Sequence, residues 1–420
     1  MTPSNSITSS NLSVTEAQQQ IQASIVAITE AEQLELPRAL NRILAQDIFA
    51  PMDVPAFNNS AMDGYAFCGS DGQTYQELNI VGQAYAGHPY PDVLTSDQAI
   101  RITTGAPMPP NADTVLPQEL AVIKGATILD LRNTSIRRGQ NSRLRGEDIA
   151  KDSVVLKKGT RLTPAGLGLL ASLGLPHVGV QRPLRVAIFS TGDELRSPDQ
   201  QPLPEGCAYD SNRVSLGAML TLSGAEVVDL GILADDVNVI RAALSQAAHQ
   251  VDVIITSGGV SVGAMDYTKQ VLQQLGDMQF WSVNMRPGRP LAFGSIKNNI
   301  APKNTYVFGL PGNPVAMMIS FYLFVRPALQ LLAGTQIKTS PLIPAIASEA
   351  IPKKWGRSEF QRGICTLNSE GQLNVRITGE QGSGMLSSMT QANCLIILNP
   401  EQGTIASGDT VYLMLFEGLV

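Results

Sequence analysis

The second half of the chain alternates buried-strand runs with helical segments, and no other feature constrains the fold as strongly. Residues 184–189, 226–230, 251–256 and 305–308 read as strands, and residues 212–223, 237–249, 267–275 and 315–332 as helices. A parallel strand pair needs a crossover, and a helix supplies it, so this alternation predicts a largely parallel, doubly wound α/β sheet. Loops that follow its strands gather on one edge, where open α/β sheets take ligands.

The rest of the chain has a different texture. Ser13 and Glu16 have capping-box spacing ahead of Ile21, Ile25 and Ile28, and a second short helix is expected over residues 38–45. From 51 to 136, Gly and Pro turns separate short β-prone runs such as 99–103 and 114–117. Thr163-Pro164 opens a helix that Gly174 stops, and after Gly334 the pattern turns β-like again. With 420 residues, several domains are expected. They are a disordered tail over 1–12, a split helical domain over 13–50 and 137–182, an inserted β-rich domain over 51–136, an α/β domain over 183–334 and a C-terminal β domain over 335–420.

Composition removes several classes of function. The net charge is -6, with no Lys/Arg-rich run among aromatics, which disfavours nucleic-acid binding. No run reaches the ~18 apolar residues of a bilayer span, and no signal-peptide layout precedes the first helix, so a cytoplasmic location is expected. Cys68, Cys207, Cys365 and Cys394 are scattered, without ligand spacing, and the chain has only 3 histidines. Chemistry here must lean on carboxylates, hydroxyls, backbone amides and arginines.

Four loops of the α/β segment offer such groups. Ser190-Thr191-Gly192-Asp193-Glu194 sets hydroxyls and two carboxylates after the first strand, either as a Mg2+ holder or as a solvated turn. Ser257-Gly258-Gly259-Val260-Ser261-Val262-Gly263, closing on Asp266, can cradle an oxyanion with N–H groups and hydroxyls; Asp266 also suits a plain cap. Gly309-Leu310-Pro311-Gly312-Asn313-Pro314, with Asn313 as the expected cap, either aims a helix N-terminus at a ligand beyond the sheet or is a tight capped turn. Arg286-Pro287-Gly288-Arg289 holds two guanidinium groups on a stiff loop, and these suit phosphate oxygens as well as solvent. Asp235-Asp236 is either a further acidic pair for metal or the cap of the next helix.

At these residues the chain resembles the molybdopterin molybdenumtransferase family, the bacterial MoeA proteins and the E-domain of gephyrin. The matching stretches include residues 55–66, with Ser60-Ala61-Met62-Asp63-Gly64-Tyr65-Ala66 at their heart, and Arg101-Ile102-Thr103-Thr104-Gly105-Ala106. Beyond the loops above, Gly356-Arg357, Phe360-Gln361-Arg362-Gly363 and Gly382-Ser383-Gly384-Met385-Leu386-Ser387-Ser388 complete the set in order. The resemblance implies an elongated four-domain homodimer that inserts molybdate into adenylylated molybdopterin, with Mg2+ assisting AMP release. It also implies contact with a molybdopterin adenylyltransferase, and a cleft completed by the β domain of a second copy.

Carried over by position, the resemblance implies catalytic roles for Asp63, Thr104, Glu194 and Asp266, with Glu194, Asp235, Asp236 and Asp266 as the metal set. Thr191, Gly192, Ser257, Gly258, Gly259, Ser261, Gly263, Arg286, Arg289, Pro311, Gly312, Asn313, Arg357 and Ser383 are the expected substrate contacts. The family often has lysines where this chain has Arg286 and Arg289, which keeps the charge but replaces a point cation with a planar fork. Two other readings are an adenylyltransferase built on the same α/β domain and a non-enzymatic scaffold.

Overall fold

The computed structural model describes residues 11–135, 137–259, 267–297, 304–337 and 341–416. The chain forms two compact units: one runs to Glu32, takes in Asn41–Ile43 and resumes at Gln181; the other comprises Gln33–Leu40 and Leu44–Val180. This is a multi-domain α/β protein with additional β domains.

The first unit contains a seven-stranded sheet in the order Asn11–Leu12, Gly276–Val283, Pro290–Ile296, Thr305–Leu310, Val253–Ser257, Arg185–Thr191 and Glu226–Leu233. The last four are mutually parallel, as the strand-helix alternation requires. In Arg185–Thr191 side chains alternate between two cores, Val186 and Ile188 in one, Ala187 and Phe189 in the other. Helices Val14–Ser24, Ser211–Leu222 and Pro314–Ser320 pack on one face, and helices Val237–Ala248 and Tyr267–Leu275 on the other. Helices on both faces make the sheet doubly wound.

Several expectations change. Gly276–Val283 and Pro290–Ile296 form an antiparallel pair, and Pro290–Ile296 also runs antiparallel to Thr305–Leu310, so the sheet is mixed. In Gly276–Val283 burial alternates, the pattern of a strand covered mainly on one side, not the continuous apolar run of a central strand. Asn11 and Leu12, read as tail, pair with Ser282 and Val283. The helix Val14–Ser24 does carry the capping box, but its Ala17 and Ile21 sit in the α/β core and do not join a separate helical domain. The helix expected over 38–45 is absent: Leu36–Arg38 makes a short 3-10 turn, Asn41 takes a φ of 63°, and Leu44 bridges Val180. Pro314–Leu332 is continuous over 19 residues and apolar enough to cross a membrane, but 67% of its most apolar window is buried within the protein.

The first unit also holds a second, closed sheet. Ser358–Leu367, Leu373–Ile377, Ile343–Ala347, Thr410–Leu415 and Cys394–Leu398 follow one another, and the last pairs back onto the first, so the barrel has no free edge among these strands. Its interior is lined by Ala345, Val375, Cys394, Ile396 and Leu413. The short strand Met285–Arg286 pairs with Ser358 and Glu359, tying the barrel to the loop that leaves Gly276–Val283.

The second unit is built on a six-stranded sheet in the order Thr114–Pro117, Gly64–Phe67, Gln98–Ile102, Glu77–Ala84, Ile128–Asp130 and Val122–Lys124. Gly64 is required there, because a Cβ would stand 2.0 Å from the Leu116 carbonyl oxygen. Thr163 caps the helix Pro164–Ser172 through the Gly166 amide.

Where the chain enters the α/β sheet, Arg182 grips the buried Asp252 with both arms of its guanidinium, at 2.7 and 2.8 Å, and Asp252 also accepts the Arg185 amide. This pair fastens the starts of two adjacent strands, and hydrogen bonding to Asp252 raises the Arg182 pKa. Asp252→Ala leaves a partly buried guanidinium without its bidentate partner and should cost about 3–5 kcal/mol. Chemical denaturation checks this, with a lower midpoint at unchanged slope as the expected result.

Candidate functional site

The four parallel strands bring their C-terminal ends to one edge of the sheet, and Gly276–Val283, which runs in the same direction, ends there too. Thr191, Gly192 and Glu194 leave the strand Arg185–Thr191. Ser257, Gly258 and Gly259 leave Val253–Ser257, Pro311, Gly312 and Asn313 leave Thr305–Leu310, and Asp235 and Asp236 follow Glu226–Leu233. Arg286 and Arg289 lie in the connection between Gly276–Val283 and Pro290–Ile296. The chain crosses over between Arg185–Thr191 and Val253–Ser257, so the edge is a topological switch point of the kind that opens a ligand crevice.

Close backbone approach shapes its centre. The Gly258 amide donates to the Leu310 carbonyl at 3.0 Å, and Gly258 and Gly259 have φ values of 94° and 66°. A Cβ on Gly259 would stand 2.7 Å from Thr268 Oγ1 and 3.2 Å from Thr191 Oγ1. Asn212, a buried residue of the helix Ser211–Leu222, donates to Ser257 Oγ at 2.7 Å and to the Gly312 carbonyl at 2.6 Å. One amide therefore locks two of the loops together. Asn212 Oδ1 and Ser190 Oγ are buried without hydrogen-bond partners among the described residues, which leaves polar capacity for a ligand.

At the start of the helix Pro314–Ser320, Asn313 makes no side-chain cap; the Val315 amide instead donates to the Ser383 carbonyl at 3.1 Å. That bond brings Ser383, from the connection after Leu373–Ile377, to the sheet edge. Arg357 precedes Ser358, whose amide donates at 3.2 Å to the carbonyl of Asn284, the residue after the strand Gly276–Val283. Arg286 is exposed, 3.9 Å from the buried Glu359 carboxylate, and Arg289 donates to Ser282 Oγ.

The acidic residues separate into two behaviours. Asp236 accepts the Asn238 and Val239 amides at 2.8 and 3.0 Å, the geometry of a helix cap. Glu194 folds back over Gly192, its Oε2 standing 2.6 Å from where a Gly192 Cβ would be, and Gly192 has a φ of 146°. Ser261, Gly263 and Asp266 lie outside the described residues. Among those described, no three carboxylate, His or Cys groups converge on one point. Hard oxygen donors in small number still fit Mg2+, which keeps several waters and binds one or two carboxylates together with phosphate oxygens.

Asp63 and Thr104 meet in the second unit. Thr104 donates both its amide, at 2.7 Å, and its hydroxyl, at 2.8 Å, to the same Asp63 oxygen. The Thr104 amide and then its hydroxyl hold the Asp63 carboxyl below the usual carboxylate range.

The structure adds a residue to which the sequence reading gave no role. Arg362 is fully buried, and its guanidinium donates to Ser388 Oγ and to the carbonyls of Gln381 and Gly382. Burial, with the like charge of Arg286, pushes it down to about 10, so it stays charged at neutral pH. It organises the segment that carries Ser383. A guanidinium in a strand flanked by Phe360 and Ile364 was the available signal.

Asn212→Ala removes the amide between two loops and leaves the Gly312 carbonyl unpaired. It should cost about 1–3 kcal/mol and raise the substrate KM more than it lowers kcat, as thermal melts and steady-state kinetics will show.

Comparison with known proteins accords with this arrangement. Residues 12–174 match the MoeA N-terminal region (domains I and II), residues 187–331 a probable molybdopterin binding domain, and residues 344–416 the MoeA C-terminal region (domain IV). The chain is 42% identical over 393 residues to a molybdopterin molybdenumtransferase of Haemophilus influenzae, covering 93% of this chain and 95% of that one. It is 33% identical to gephyrin of Dictyostelium discoideum, spanning 92% of this chain and 59% of the relative. A crystal structure of a molybdopterin biosynthesis MoeA protein from Pyrococcus horikoshii is similar at a TM-score of 0.82 and 29% identity, over 97% of this chain and 100% of that one. Family regions that match most of the chain, and relatives matched nearly end to end, lead to one assignment: the chain belongs to the MoeA family of molybdopterin molybdenumtransferases, enzymes of molybdenum cofactor biosynthesis.

Proposed function

We propose that the chain inserts molybdate into adenylylated molybdopterin, with release of AMP, at the edge formed by the loops after Thr191, Ser257 and Leu310. The observation that carries this reading is the Asn212 clamp, which ties two glycine-containing loops together at the ends of adjacent parallel strands, next to buried polar atoms without partners among the described residues. Ser257, Gly258 and Gly259, with Ser261 and Gly263, and Pro311-Gly312-Asn313 at the opening of a helix, would bind the phosphate oxygens. Thr191 and Gly192 would close the same cradle.

Arg286, Arg289, Arg357 and the Ser383 hydroxyl would grip molybdate, itself an oxyanion. Glu194, with Asp235 and Asp266, would hold Mg2+, which when bound neutralises charge on the phosphate oxygens of the linkage being cleaved. Asp236 serves this arrangement less directly, since its carboxylate already caps a helix. The four cysteines are all unpaired, as suits a cytoplasmic enzyme, and the dithiolene sulfurs of the substrate leave no task for them. The adenylylated substrate implies contact with the adenylyltransferase that makes it.

We also infer a homodimer in which Asp63 and Thr104 of one copy complete the site of the other. Glu194→Gln should reduce molybdate-dependent AMP release by at least about a hundredfold, followed chromatographically with and without molybdate, while the melting temperature stays unchanged. Full activity would return Glu194 to the role of a turn residue. Asp63→Asn should be equally inactive. Mixed dimers of the two variants should regain roughly a quarter of wild-type activity, because half of the dimers are mixed and each has one intact site. No recovery on mixing would exclude the shared site.

A further inference from the structure

Trp355 is 72% exposed, the second-highest exposure among the large hydrophobic side chains of the described residues. Apolar aromatics of this size seldom stand in water without a partner to cover them. Its loop is nevertheless firmly held. The Gly356 amide donates to the Pro400 carbonyl at 2.9 Å, and the Gly356 carbonyl accepts from the Asn284 side chain at 2.8 Å. The buried Lys353 ammonium donates to the carbonyls of Lys354 and Gln402. The indole itself rests against Gly403, where a Cβ would stand 2.7 Å from its Nε1. Bare glycine beneath and open solvent above leave a ring that is fixed in place yet uncovered.

Its surroundings are cationic and belong to the candidate site. The Lys354 amide donates to the same Glu359 oxygen that lies 3.9 Å from Arg286. Arg357 follows two residues later, and its neighbour Ser358 pairs with Met285. An exposed indole next to Lys354 in the chain and two residues from Arg357, on a loop tied through Glu359 to Arg286, is complementary to a flat heterocycle that carries negative charge.

We propose that Trp355 is the platform on which the pterin ring of the substrate stacks, while the neighbouring arginines take its anionic end. This assignment rests on the proposed function and names the group that binds the part of the substrate remote from the adenylate. Trp355 is thus a binding residue that sets KM and leaves the reacting atoms to others.

The chain has only 2 tryptophans, and Trp281 is buried, so iodide quenches Trp355 selectively. Unsubstituted pterin should protect Trp355 of the wild-type protein from iodide. Calorimetry with molybdopterin-AMP in the absence of metal and molybdate should show Kd raised roughly tenfold in Trp355→Ala and within about threefold of wild type in Trp355→Phe. KM should follow Kd, with kcat changed by less than about twofold. Gly403→Ala, which displaces the indole without removing it, should fall between the two. Unchanged Kd in Trp355→Ala, or pterin that binds without protecting Trp355, overturns the proposal. So does a Trp355→Ala protein that only changes its oligomeric state in sedimentation, since the ring would then cover a protein contact. If the wild type binds pterin over Trp355 yet releases no AMP, the insertase reading fails and the platform stands. If it releases AMP with Trp355→Ala unaffected, the reverse holds.

Discussion

The strand Val253–Ser257 lies between Arg185–Thr191 and Thr305–Leu310, parallel to both and buried along its whole length. Every part of the candidate edge depends on that position. A parallel neighbour on each side forces three strand ends, and the loops that follow them, to the same level. Those loops can then be joined by single hydrogen bonds: Gly258 to Leu310 through backbone, and Ser257 to Gly312 through Asn212. At Gly259 any larger side chain would meet Thr268 and Thr191, with a Cβ 2.7 Å from Thr268 Oγ1, so the approach of these loops requires glycine there. The polar atoms left unpartnered at this level cost stability that a self-contained fold would avoid.

The barrel supplies what the sheet edge lacks. A Rossmann-like edge offers amides and hydroxyls but few fixed cations. The pairing of Met285 with Ser358 brings Arg286 beside Glu359, and the Val315–Ser383 bond brings the Gly382 to Met385 stretch over the helix start. Arg362 makes the second contact durable. Its buried guanidinium gives up hydration and is repaid by two carbonyls and a hydroxyl, an arrangement that works only while that segment keeps its shape. The positive charge beneath this segment and the positive helix end facing it act on the same region.

Much of this was legible in the sequence because it rests on local rules. Strand-helix alternation marks four parallel strands, Thr163-Pro164 marks a helix start, and Gly-rich stretches after strands mark the edge. What escaped notice depended on tertiary partners. Gly276–Val283 carries polar residues on one face because one side is less covered, so it lacks the apolar run of its parallel neighbours. The helix expected over 38–45 had adequate spacing, but Leu44 and Ile48 found strand partners at Val180 and Leu156, and pairing of buried backbone outweighed a weak helical preference. Asp236 illustrates the opposite difficulty: a carboxylate after a strand can cap a helix or hold a metal, and only the two amides it accepts decide between them. Arg362 could not be ranked above the other arginines until its burial was known.

Charge gives the arrangement its final coherence. The chain carries a net charge of -6, which on average repels an anionic substrate such as the proposed one. A site can overcome that average only by concentrating its cations and excluding carboxylates that would neutralise them. Here Arg286, Arg289, Arg357 and Arg362 gather around the junction of sheet edge and barrel, while Glu359, the carboxylate nearest Arg286, is buried and engaged with Gln361 and the Lys354 amide. Glu359 thus anchors the loops from below and leaves the outward faces of the arginines to solvent. Glu194, exposed and without a cation paired to it in any ion pair among the described residues, stands on the sheet side of the edge. An anion held by the arginines and a divalent cation held near Glu194 would each reduce the repulsion felt by the other, which favours binding the two together over binding either alone.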